Sequence, residues 1–200
     1  MLQRKTRGIR FSSKASGIPI AFVDASNKPD PTDGKCQYGY NIQVQGGPVV
    51  AVSKKANHVG QSAAHNEYMA LCMAARHIAW LRDLLSELDL QEMVPGPSEL
   101  FGDNRAANLL SQEDIVTCGN QFIQLPYHYV KQEVKAGNLL VLYVKTLDNL
   151  ADLMTKATSS QVCNKLIPAL TGYDFNLLER IAEEVRSDDR SSRPANTSSE

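Results

Sequence analysis

Four acidic side chains, spread over most of the chain, have neighbours that could bring them to one place. Two aspartates each follow a short apolar run of the kind that forms a buried strand. A glutamate lies on the hydrophobic stripe of a long predicted helix, and a third aspartate lies in the segment TLDNLADLMTK. These four acids are Asp24, Glu67, Asp103 and Asp152. If the strands before Asp24 and Asp103 are neighbours, both aspartates face the crevice where an open α/β sheet binds its ligands.

Carboxylates that converge in this way indicate cation chemistry. Ionised carboxylates repel one another strongly at low dielectric, and proton sharing relieves only one pair of them. Mg²⁺ and Mn²⁺ prefer oxygen ligands and accept phosphate oxygens beside them. Two such cations, about 3.5–4 Å apart, activate a water and stabilise the leaving oxygen of an in-line phosphoryl displacement. The acids therefore suggest phosphodiester hydrolysis.

Glu67 is the acid that is hardest to explain in any other way. When residues 62–85 are read as a helix, one face carries the stripe Glu67, Leu71, Ala74, Ile78, Leu81 and Leu85. An ionised side chain is rarely buried without a partner, because its desolvation costs several kcal/mol. Glu67 is therefore neutral, salt-bridged or a metal ligand, and its helix by itself leaves these alternatives open.

The three aspartates have simpler alternative explanations. Asp24 precedes the turn-rich segment NKPDPTDGK and could start a turn, and Asp103 could cap the helix that follows it. Asp148 and Asp152 could be ordinary acids near a helix N-terminus, where the helix dipole favours them. Among the four acids of the predicted site, only the buried glutamate resists such an explanation.

The hydrophobic pattern predicts the elements that position these acids. Strands are predicted at 18–23, 40–45 and 49–52, in a short run ending at Gly102, and at 139–144. Helices are predicted at 62–85, in a short stretch through 109, at 126–134, at 146–154, and from 161 to about Pro168. Residues 111–125 show no clean period, which indicates a loop or a poorly formed helix.

Several details of these elements follow from single residues. The alternation at 40–45 predicts a half-buried strand, and Gly46-Gly47 predicts the hairpin turn after it. Pro48 predicts that the third strand lies at or near the sheet edge. Thr146 is a plausible N-cap of the helix that follows it, and Gly137 is expected to close the helix before the last strand.

The order of these elements predicts an α/β domain. Three antiparallel strands come first, and crossover helices make the first, fourth and fifth strands parallel. The expected sheet is five-stranded and mixed, and helices flank it. The long helix carries Glu67 over the same end of the sheet as Asp24 and Asp103.

Composition is that of a globular domain of 200 residues, with 42% hydrophobic residues and a formal net charge of −1. No apolar run is long enough to span a membrane, and the N-terminus lacks the apolar core of a secretory signal. The four cysteines, Cys36, Cys72, Cys118 and Cys163, show no metal-ligand spacing. Reduced thiols in an intracellular protein, in cytoplasm or nucleus, are expected.

The two ends differ from the centre in composition. The first fourteen residues carry five basic side chains and no acid, and such an arm can serve a nucleic-acid backbone or can simply be solvated. These basic residues are Arg4, Lys5, Arg7, Arg10 and Lys14. Residues 158–185 are predicted as a helical extension, and residues 186–200 are polar and Ser-rich, which predicts disorder.

A set of motifs in order along residues 18–157 resembles one family. The motifs are AFVDAS, KCQYGY, SKKANHVGQSAAHNEYMAL, LFGDNRAA, LPYHYVKQEVKAG and YVKTLDNLADLMTKA. They resemble the ribonuclease H domain of the Pol polyproteins of copia-type LTR retrotransposons. KTRGIRFSS, within residues 1–17, resembles the segment that joins the reverse transcriptase to this domain. The chain thus looks like a detached or truncated piece of a polyprotein.

The resemblance implies a ribonuclease H fold that cleaves the RNA strand of an RNA–DNA hybrid with two Mg²⁺ ions, or Mn²⁺ in their place. It matches the family's four catalytic, metal-binding acids to Asp24, Glu67, Asp103 and Asp152. On this view Asp24 contacts both ions, Glu67 and Asp103 favour one, and Asp152 favours the other. A reverse transcriptase domain is a possible partner.

Substrate contacts are expected close to these acids. Asn66, Asn104 and Arg105 are candidates for contacts to 2′-hydroxyls in the wide minor groove, and Lys54 and Lys55 for phosphate contacts. Each could equally be an exposed polar residue. His128 is more simply explained as a helix-packing residue than as a general acid.

The sequence also departs from the family pattern around the acids. The departures are at Ser26-Asn27, at residues 36–40, at residues 62–65 and at residues 121–124. An inactive remnant that binds nucleic acid or protein is therefore the main alternative, because a fold does not determine an activity. A nuclease that acts on DNA strands is a third possibility.

Overall fold

The structure, a computed structural model, describes residues 8–26, 30–57, 59–60, 62–112 and 124–192, without the side chains of 109–112, 124–128 and 192. Within this part of the chain five strands form one sheet. They are β1 (Ile20–Ala25), β2 (Gln37–Val44), β3 (Gly47–Lys55), β4 (Ser98–Gly102) and β5 (Leu139–Tyr143). Their order across the sheet is β3-β2-β1-β4-β5. The first three pair antiparallel, whereas β1, β4 and β5 run parallel. The predicted mixed sheet is confirmed.

Six α-helices cover the two faces of the sheet within the described residues. They are α1 (Ala63–Glu87), α2 (Arg105–Gln112), α3 (Gln124–Lys135), α4 (Asp152–Thr155), α5 (Ser160–Leu170) and α6 (Phe175–Ser192). Short 3₁₀ turns occupy Gln91–Met93 and Thr146–Asp148. No helix in the described ranges has the length and apolarity needed to cross a membrane.

The hairpin between β2 and β3 follows from two residues with positive φ. Gln45 has φ 50° and Gly46 has φ 70°, as a type I′ turn requires. The predicted turn at Gly46-Gly47 is thus one residue too late, and Gly47 already belongs to β3. Pro48 lies in β3, which is an edge strand as predicted, since the missing N–H of proline costs least there.

The first face of the sheet is covered by α1, α2 and α3. Ser62 caps α1 by accepting a hydrogen bond from the backbone N–H of His65, which sets the start of the helix. The predicted stripe of α1 faces this core: Glu67, Leu71, Ala74, Ile78 and Leu81 are buried, and Leu85 is half-buried. The helix therefore carries its glutamate inward together with its hydrophobic residues.

The second face is covered by α4, α5 and α6, which corrects the prediction of a half-buried β2. Asn41 and Gln43 point to this face and are fully buried. The side-chain amide of Gln43 donates to Asn41 Oδ1 at 3.0 Å and to the carbonyl oxygens of Ala169 and Leu170 at 3.3 and 3.2 Å. Polar residues can occupy this face because the end of α5 supplies acceptors for them.

Three predicted boundaries were wrong. Pro168 lies inside α5, two residues before its last residue, so the helix continues past the proline without the hydrogen bond that a backbone N–H at this position would donate. Thr146 starts only a 3₁₀ turn and does not cap it with its side chain, and α4 begins separately at Asp152. Helix α6 continues to Ser192, past the predicted end of order at 186, because Arg186 forms an ion pair with the sheet.

Other predicted boundaries fall partly outside the described residues. Of the stretch 111–125, residues 111–112 end α2 and 124–125 begin α3, and the rest lies outside that description. The same is true of 193–200 in the predicted tail. Gly137 follows α3 with φ 75°, as expected for a residue that ends a helix.

Candidate metal centre

The strand pairing brings two of the predicted acids to one edge of the sheet. Asp24 is the next-to-last residue of β1, and Asp103 directly follows β4. These strands are parallel neighbours, with Val23 opposite Gly102. Asp152 opens α4, which packs on β1 and β2. One oxygen from each of Asp24, Asp103 and Asp152 lies within 4.8 Å of the others. The structure therefore brings these three together.

Glu67 lies beside this group of three. Its side chain is buried, and its Oε2 accepts a hydrogen bond from the backbone N–H of Ala25 at 2.9 Å. Burial, followed by the charges of Asp24 and Asp103, raises the pKa of Glu67 to about 9. Of the three alternatives for this glutamate, the structure supports a neutral carboxyl group as long as no cation is bound.

Asp24 is the most enclosed of the three grouped aspartates, with 1% of its surface exposed. Its Oδ2 accepts a hydrogen bond from the hydroxyl of Thr155. Burial raises the pKa of Asp24 to about 6, against the opposing effects of Thr155 and Lys156. Asp24 is therefore partly protonated near neutral pH unless further positive charge is supplied.

Lys156 supplies positive charge to the group. Its Nζ lies 2.8 Å from Oδ1 of Asp152 and 3.7 Å from Oδ2 of Asp24. Burial raises the pKa of Asp152, and the nearby ammonium of Lys156 opposes that rise. Neither Lys156 nor Thr155 was predicted as part of the site. The i, i+4 spacing of Asp152 and Lys156 on a helical segment was the signal that could have found the lysine.

A buried asparagine holds the segment of Asp152 against β1. The side-chain amide of Asn149 donates to the carbonyl of Val23 at 2.9 Å, and its Oδ1 accepts from the backbone N–H of Ala151 at 3.1 Å. Val23 directly precedes Asp24, so this contact fixes the distance between the two acids. Asn149 was also missed, since its role depends on a strand that lies 126 residues away.

A glycine in β2 lets α4 approach the sheet. A Cβ atom on Gly39 would lie 2.6 Å from Cγ2 of Thr155 and 2.7 Å from Cβ of Met154. Gly39 is also the residue opposite Asp24 in the pairing of β1 with β2. A glycine inside a strand often marks such a close approach, and this signal was present in the motif KCQYGY.

The helix after Asp103 is capped by Asn104, which corrects the alternative that Asp103 is the cap. Asn104 Oδ1 accepts from the backbone N–H of Ala107 at 3.1 Å. Further along α2, the amide of Asn108 donates to the carbonyls of Gly102 and Leu142 at 3.0 and 3.1 Å. Asn108 thereby joins the ends of β4 and β5, and Asp103 keeps its carboxylate for the acidic group.

Two of the predicted substrate contacts are already used within the protein. Asn66 is buried, and its side-chain amide donates to Cys36 Sγ at 2.9 Å. Asn104 caps α2 as described. Arg105 is exposed next to Asp103, and its guanidinium lies 4.2 Å from the ring centroid of Tyr143. Of these three residues, Arg105 alone carries a charge, and its side chain is exposed beside the acids.

The predicted phosphate contacts lie at the end of β3. Lys54 and Lys55 are both exposed. Lys55 forms ion pairs with Asp30 and Asp33 at 2.7 and 2.9 Å, so part of its charge is already compensated. The side chain of His128 lies outside the described part of the structure.

The basic arm is described only from residue 8, so Arg4, Lys5 and Arg7 lie outside that description. The backbone N–H of Arg10 donates to the carbonyl of Thr171 at 3.0 Å, and its guanidinium lies 4.5 Å from the ring centroid of Tyr173. Lys14 is exposed. This part of the arm thus packs against the end of α5. The described cysteines, Cys36, Cys72 and Cys163, are free thiols, and Cys118 is outside the description.

The donors of this site fit a hard divalent cation. The three grouped acids offer oxygen atoms only, which suits Mg²⁺ or Mn²⁺ and does not suit softer metals. Burial raises the pKa values of Asp24, Glu67 and Asp152, so a bound positive charge would relieve an unfavourable set of buried acids. The single charge of Lys156 offsets only part of that set.

Comparisons with known proteins agree with this geometry. No protein-family model matches the sequence. The retrovirus-related Pol polyprotein from transposon RE2 of Arabidopsis thaliana is 31% identical over 150 residues, which are 74% of this chain and 10% of the polyprotein. The Pol polyprotein from transposon RE1 of the same plant is 30% identical over 150 residues, again 74% and 10% of the two chains. The chain therefore spans about a tenth of the length of these relatives.

A solved structure supports the fold. LC11-RNase H1, isolated from compost by a metagenomic approach, superimposes with a TM-score of 0.52 and 17% identity, covering 76% of this chain and 99% of that one. At this identity the likeness shows the fold alone. The chain is therefore a homologue of one segment of the retrovirus-related Pol polyproteins of copia-type transposons, and it has the ribonuclease H fold.

Proposed function

We propose that this protein hydrolyses the RNA strand of an RNA–DNA hybrid with the help of divalent cations. The observation that carries the proposal is the meeting of Asp24, Asp103 and Asp152 within 4.8 Å at the carboxyl ends of β1 and β4, with Glu67 buried beside them. Groups of acids in this arrangement need added positive charge. The position is also the ligand-binding edge of an open α/β sheet.

The relatives and the fold support the same chemistry. The relatives are named as Pol polyproteins of transposons, and the structural neighbour is named as a ribonuclease H. A reverse transcriptase domain elsewhere in such a polyprotein would be the partner of this segment.

The four acids of the site would have different roles in binding the cations. Asp24, Asp103 and Asp152 would hold the cations, since one oxygen of each lies within 4.8 Å of the others. Bound cations supply activation of the attacking water and stabilisation of the leaving oxygen. Burial raises the pKa of Glu67 to about 9, and the charge of a bound cation would lower it, so this carboxyl group would be available as a further oxygen ligand.

A polar groove beside the acids offers a path for a nucleic-acid strand. Its volume is about 420 Å³, and Ser26, Lys35, Gln37, Ser53 and Lys156 are among the residues that line it. Hydroxyl, amide and ammonium groups of this kind contact phosphate oxygens without reading base sequence. On the opposite side of the site, Arg105 would contact the strand beside Asp103. Selectivity for RNA would come from contacts to 2′-hydroxyls.

The proposal is tested by cleavage of an RNA–DNA hybrid whose RNA strand is labelled. We expect cleavage that requires Mg²⁺ or Mn²⁺, and we expect Asp24→Asn to lower the rate by at least about 100-fold, as loss of a group that stabilises the transition state commonly does. Asp148→Asn is the matched control, because Asp148 pairs with Lys165 and does not belong to the acidic group. Cleavage that survives Asp24→Asn would rule the proposal out.

A second function is favoured by one contact. Because Lys156 already pairs with two of the acids, the site is partly neutral without any metal, as in a protein that binds nucleic acid but does not cut it. If the protein is such a binding module, the wild type and Asp24→Asn should bind the hybrid with the same affinity, and neither should cleave it. Fluorescence anisotropy with a labelled hybrid, run beside the cleavage assay, separates the two functions. A labelled DNA duplex in the same assays tests for a nuclease of DNA strands.

A further inference from the structure

The Lys156 side chain occupies the position of a cation within the acidic group. Its ammonium lies 2.8 Å from Asp152 and 3.7 Å from Asp24, which are contributed by two elements that are far apart in sequence. The Thr155 hydroxyl uses the same Oδ2 atom of Asp24 that the ammonium approaches. Both groups come from the end of α4, because Thr155 is its last residue and Lys156 is the next residue of the chain.

A divalent cation and this ammonium compete for the same oxygens. Two positive charges a few ångströms apart repel one another, and the repulsion is larger in a partly buried site than in water. Asp24 and Asp152 are both buried, so neither carboxylate can turn to the surface and serve a cation elsewhere. A cation that binds these two acids must therefore move the lysine.

The lysine has room to move. About 42% of its side chain is exposed, and it lines the polar groove of about 420 Å³ next to the acids. The backbone N–H of Lys156 is held by the carbonyl of Asp152 at 3.2 Å, so a rotation of the side chain alone would suffice. An ammonium that turns into the groove stays in contact with water and with polar groups such as Gln37 and Ser53.

We propose that Lys156 is a built-in competitor for the divalent cation: its ammonium fills the cation position between Asp24 and Asp152 in the metal-free protein, and a cation binds by displacing it. This inference rests on the proposed function only in taking the acidic group as a cation site. It implies that the lysine sets the cation concentration at which the site becomes loaded, at the cost of weaker binding.

Calorimetric titration with Mn²⁺, without nucleic acid, tests the inference. Lys156→Met should bind Mn²⁺ roughly three- to tenfold more tightly than wild type, in line with the size of partly buried ion pairs. Lys156→Arg keeps the charge and should retain weak binding, although its shape differs. Lys156→Gln serves as a second neutral variant, and thermal unfolding checks that each variant is folded.

Lys165→Met is the matched control. Lys165 is equally exposed, at 44%, and pairs with Asp148 at 2.6 Å outside the acidic group. Its loss removes one positive charge from the protein and should change the Mn²⁺ affinity by less than about twofold. If Lys156→Met and Lys156→Gln bind Mn²⁺ no more tightly than Lys165→Met does, the inference is wrong. Absence of Mn²⁺ binding in every variant would overturn it as well.

The outcome is distinguishable from that of the cleavage assay. If the protein never cleaves a hybrid but its Lys156→Met variant binds Mn²⁺ more tightly, the proposed function is wrong. The inference that Lys156 competes with the cation is then still supported. If the protein cleaves the hybrid in the presence of metal but all variants bind Mn²⁺ with the same affinity, the proposed function is supported and the inference about Lys156 is wrong.

Discussion

Glu67 shows how one side chain links the folding of this protein to its cation chemistry. The residue lies on the buried stripe of α1, and a hydrogen bond from the backbone N–H of Ala25 fixes its carboxyl group next to Asp24. Its environment disfavours the charged form, because desolvation and two neighbouring acids all raise its pKa. The folded protein therefore favours the neutral form of this carboxyl group, and a bound cation would favour its ionisation.

This proton predicts a pH dependence of stability for the metal-free protein. The pKa of Glu67 is raised from 4.5 to about 9 and that of Asp24 from 3.8 to about 6, so the folded state binds more protons than the unfolded state between these values. The free energy of unfolding should be highest at the acidic end of this range. It should fall as the pH rises from about 4 towards 9. Urea denaturation at pH 5.5, 7 and 8.5 in the presence of a chelator measures the slope.

Glu67→Gln isolates the contribution of this glutamate. The amide has nearly the same shape, can still accept the hydrogen bond from Ala25 and does not ionise. The variant should therefore lose part of the pH dependence and be more stable than wild type at pH 8.5 in the absence of metal. Saturating Mn²⁺ should reverse that ranking, because only the carboxylate can become an anionic ligand. An unchanged slope in Glu67→Gln would show that this group does not carry the proton.

At the scale of elements, the site depends on how closely the segment of α4 approaches the sheet. Asn149 ties this segment to the carbonyl of Val23, and Gly39 leaves the space that Thr155 and Met154 fill. Asp152 and Lys156 can meet Asp24 only because both conditions hold. The distance between the acids is therefore a property of the contact between β2 and α4.

Gly39→Ala tests this dependence. The added Cβ would lie under 3 Å from two side-chain carbons, so α4 must move away from β2. We expect a loss of roughly 1–3 kcal/mol in the free energy of unfolding, as is usual for overpacking. Weaker binding of Mn²⁺ should accompany it, because the shift separates Asp152 from Asp24. Urea denaturation and calorimetric titration measure the two effects.

Gly96→Ala is the control for this substitution. A Cβ on Gly96 would meet only Cδ1 of Ile18, at 4.0 Å, so the same change of residue needs no rearrangement. Its affinity for Mn²⁺ should match that of wild type. If Gly39→Ala also binds Mn²⁺ as wild type does, the geometry of the site does not depend on this close approach.

At the scale of the molecule, two hydrophobic layers enclose the sheet, and the second layer comes from the C-terminal helices. Buried residues of α5 and α6 pack on the face that carries Phe22 and Phe101. An ion pair joins α6 to the sheet, with Arg186 Nε and Nη2 donating to the two carboxylate oxygens of Glu99 at 2.7 and 2.9 Å. The segment after residue 158 thus belongs to the core that supports the strands of the site.

Arg186→Met should destabilise the protein by roughly 1–3 kcal/mol, because it leaves Glu99 nearly buried without its partner. Arg190→Met, at an exposed position of the same helix, is the control and should cost less than about 0.5 kcal/mol. Adding Glu99→Met to Arg186→Met should restore part of the loss, since no unpaired charge remains. Urea denaturation measures these three variants and Glu99→Met alone, so that the double variant can be compared with both single changes. A double variant less stable than the sum of the two single changes would contradict this account.

Much of the fold can be read from local patterns in the sequence. The apolar runs before Asp24 and Asp103, the stripe of α1 and the edge proline at position 48 each depend on a few neighbouring residues, and each prediction is confirmed. The alternation of polar and apolar residues misleads where a polar face of a strand is not exposed to solvent. The alternation in β2 indicates one exposed face, but α5 covers that face. Its Ala169 and Leu170 carbonyl oxygens accept hydrogen bonds from the side-chain amide of Gln43.

The amino-acid sequence is enough to name the available acids and the elements that carry them, because strand ends and helix faces follow from residue spacing. The packing of the elements was needed to show that Asp24, Asp103 and Asp152 form the close group, with Glu67 buried beside them and Lys156 among them. The physical reason is that distances between acids, and the charge that burial leaves on them, depend on how closely separate elements pack. That approach depends on residues such as Gly39, which lacks a side chain, and Asn149, and the partners of both lie more than a hundred residues away.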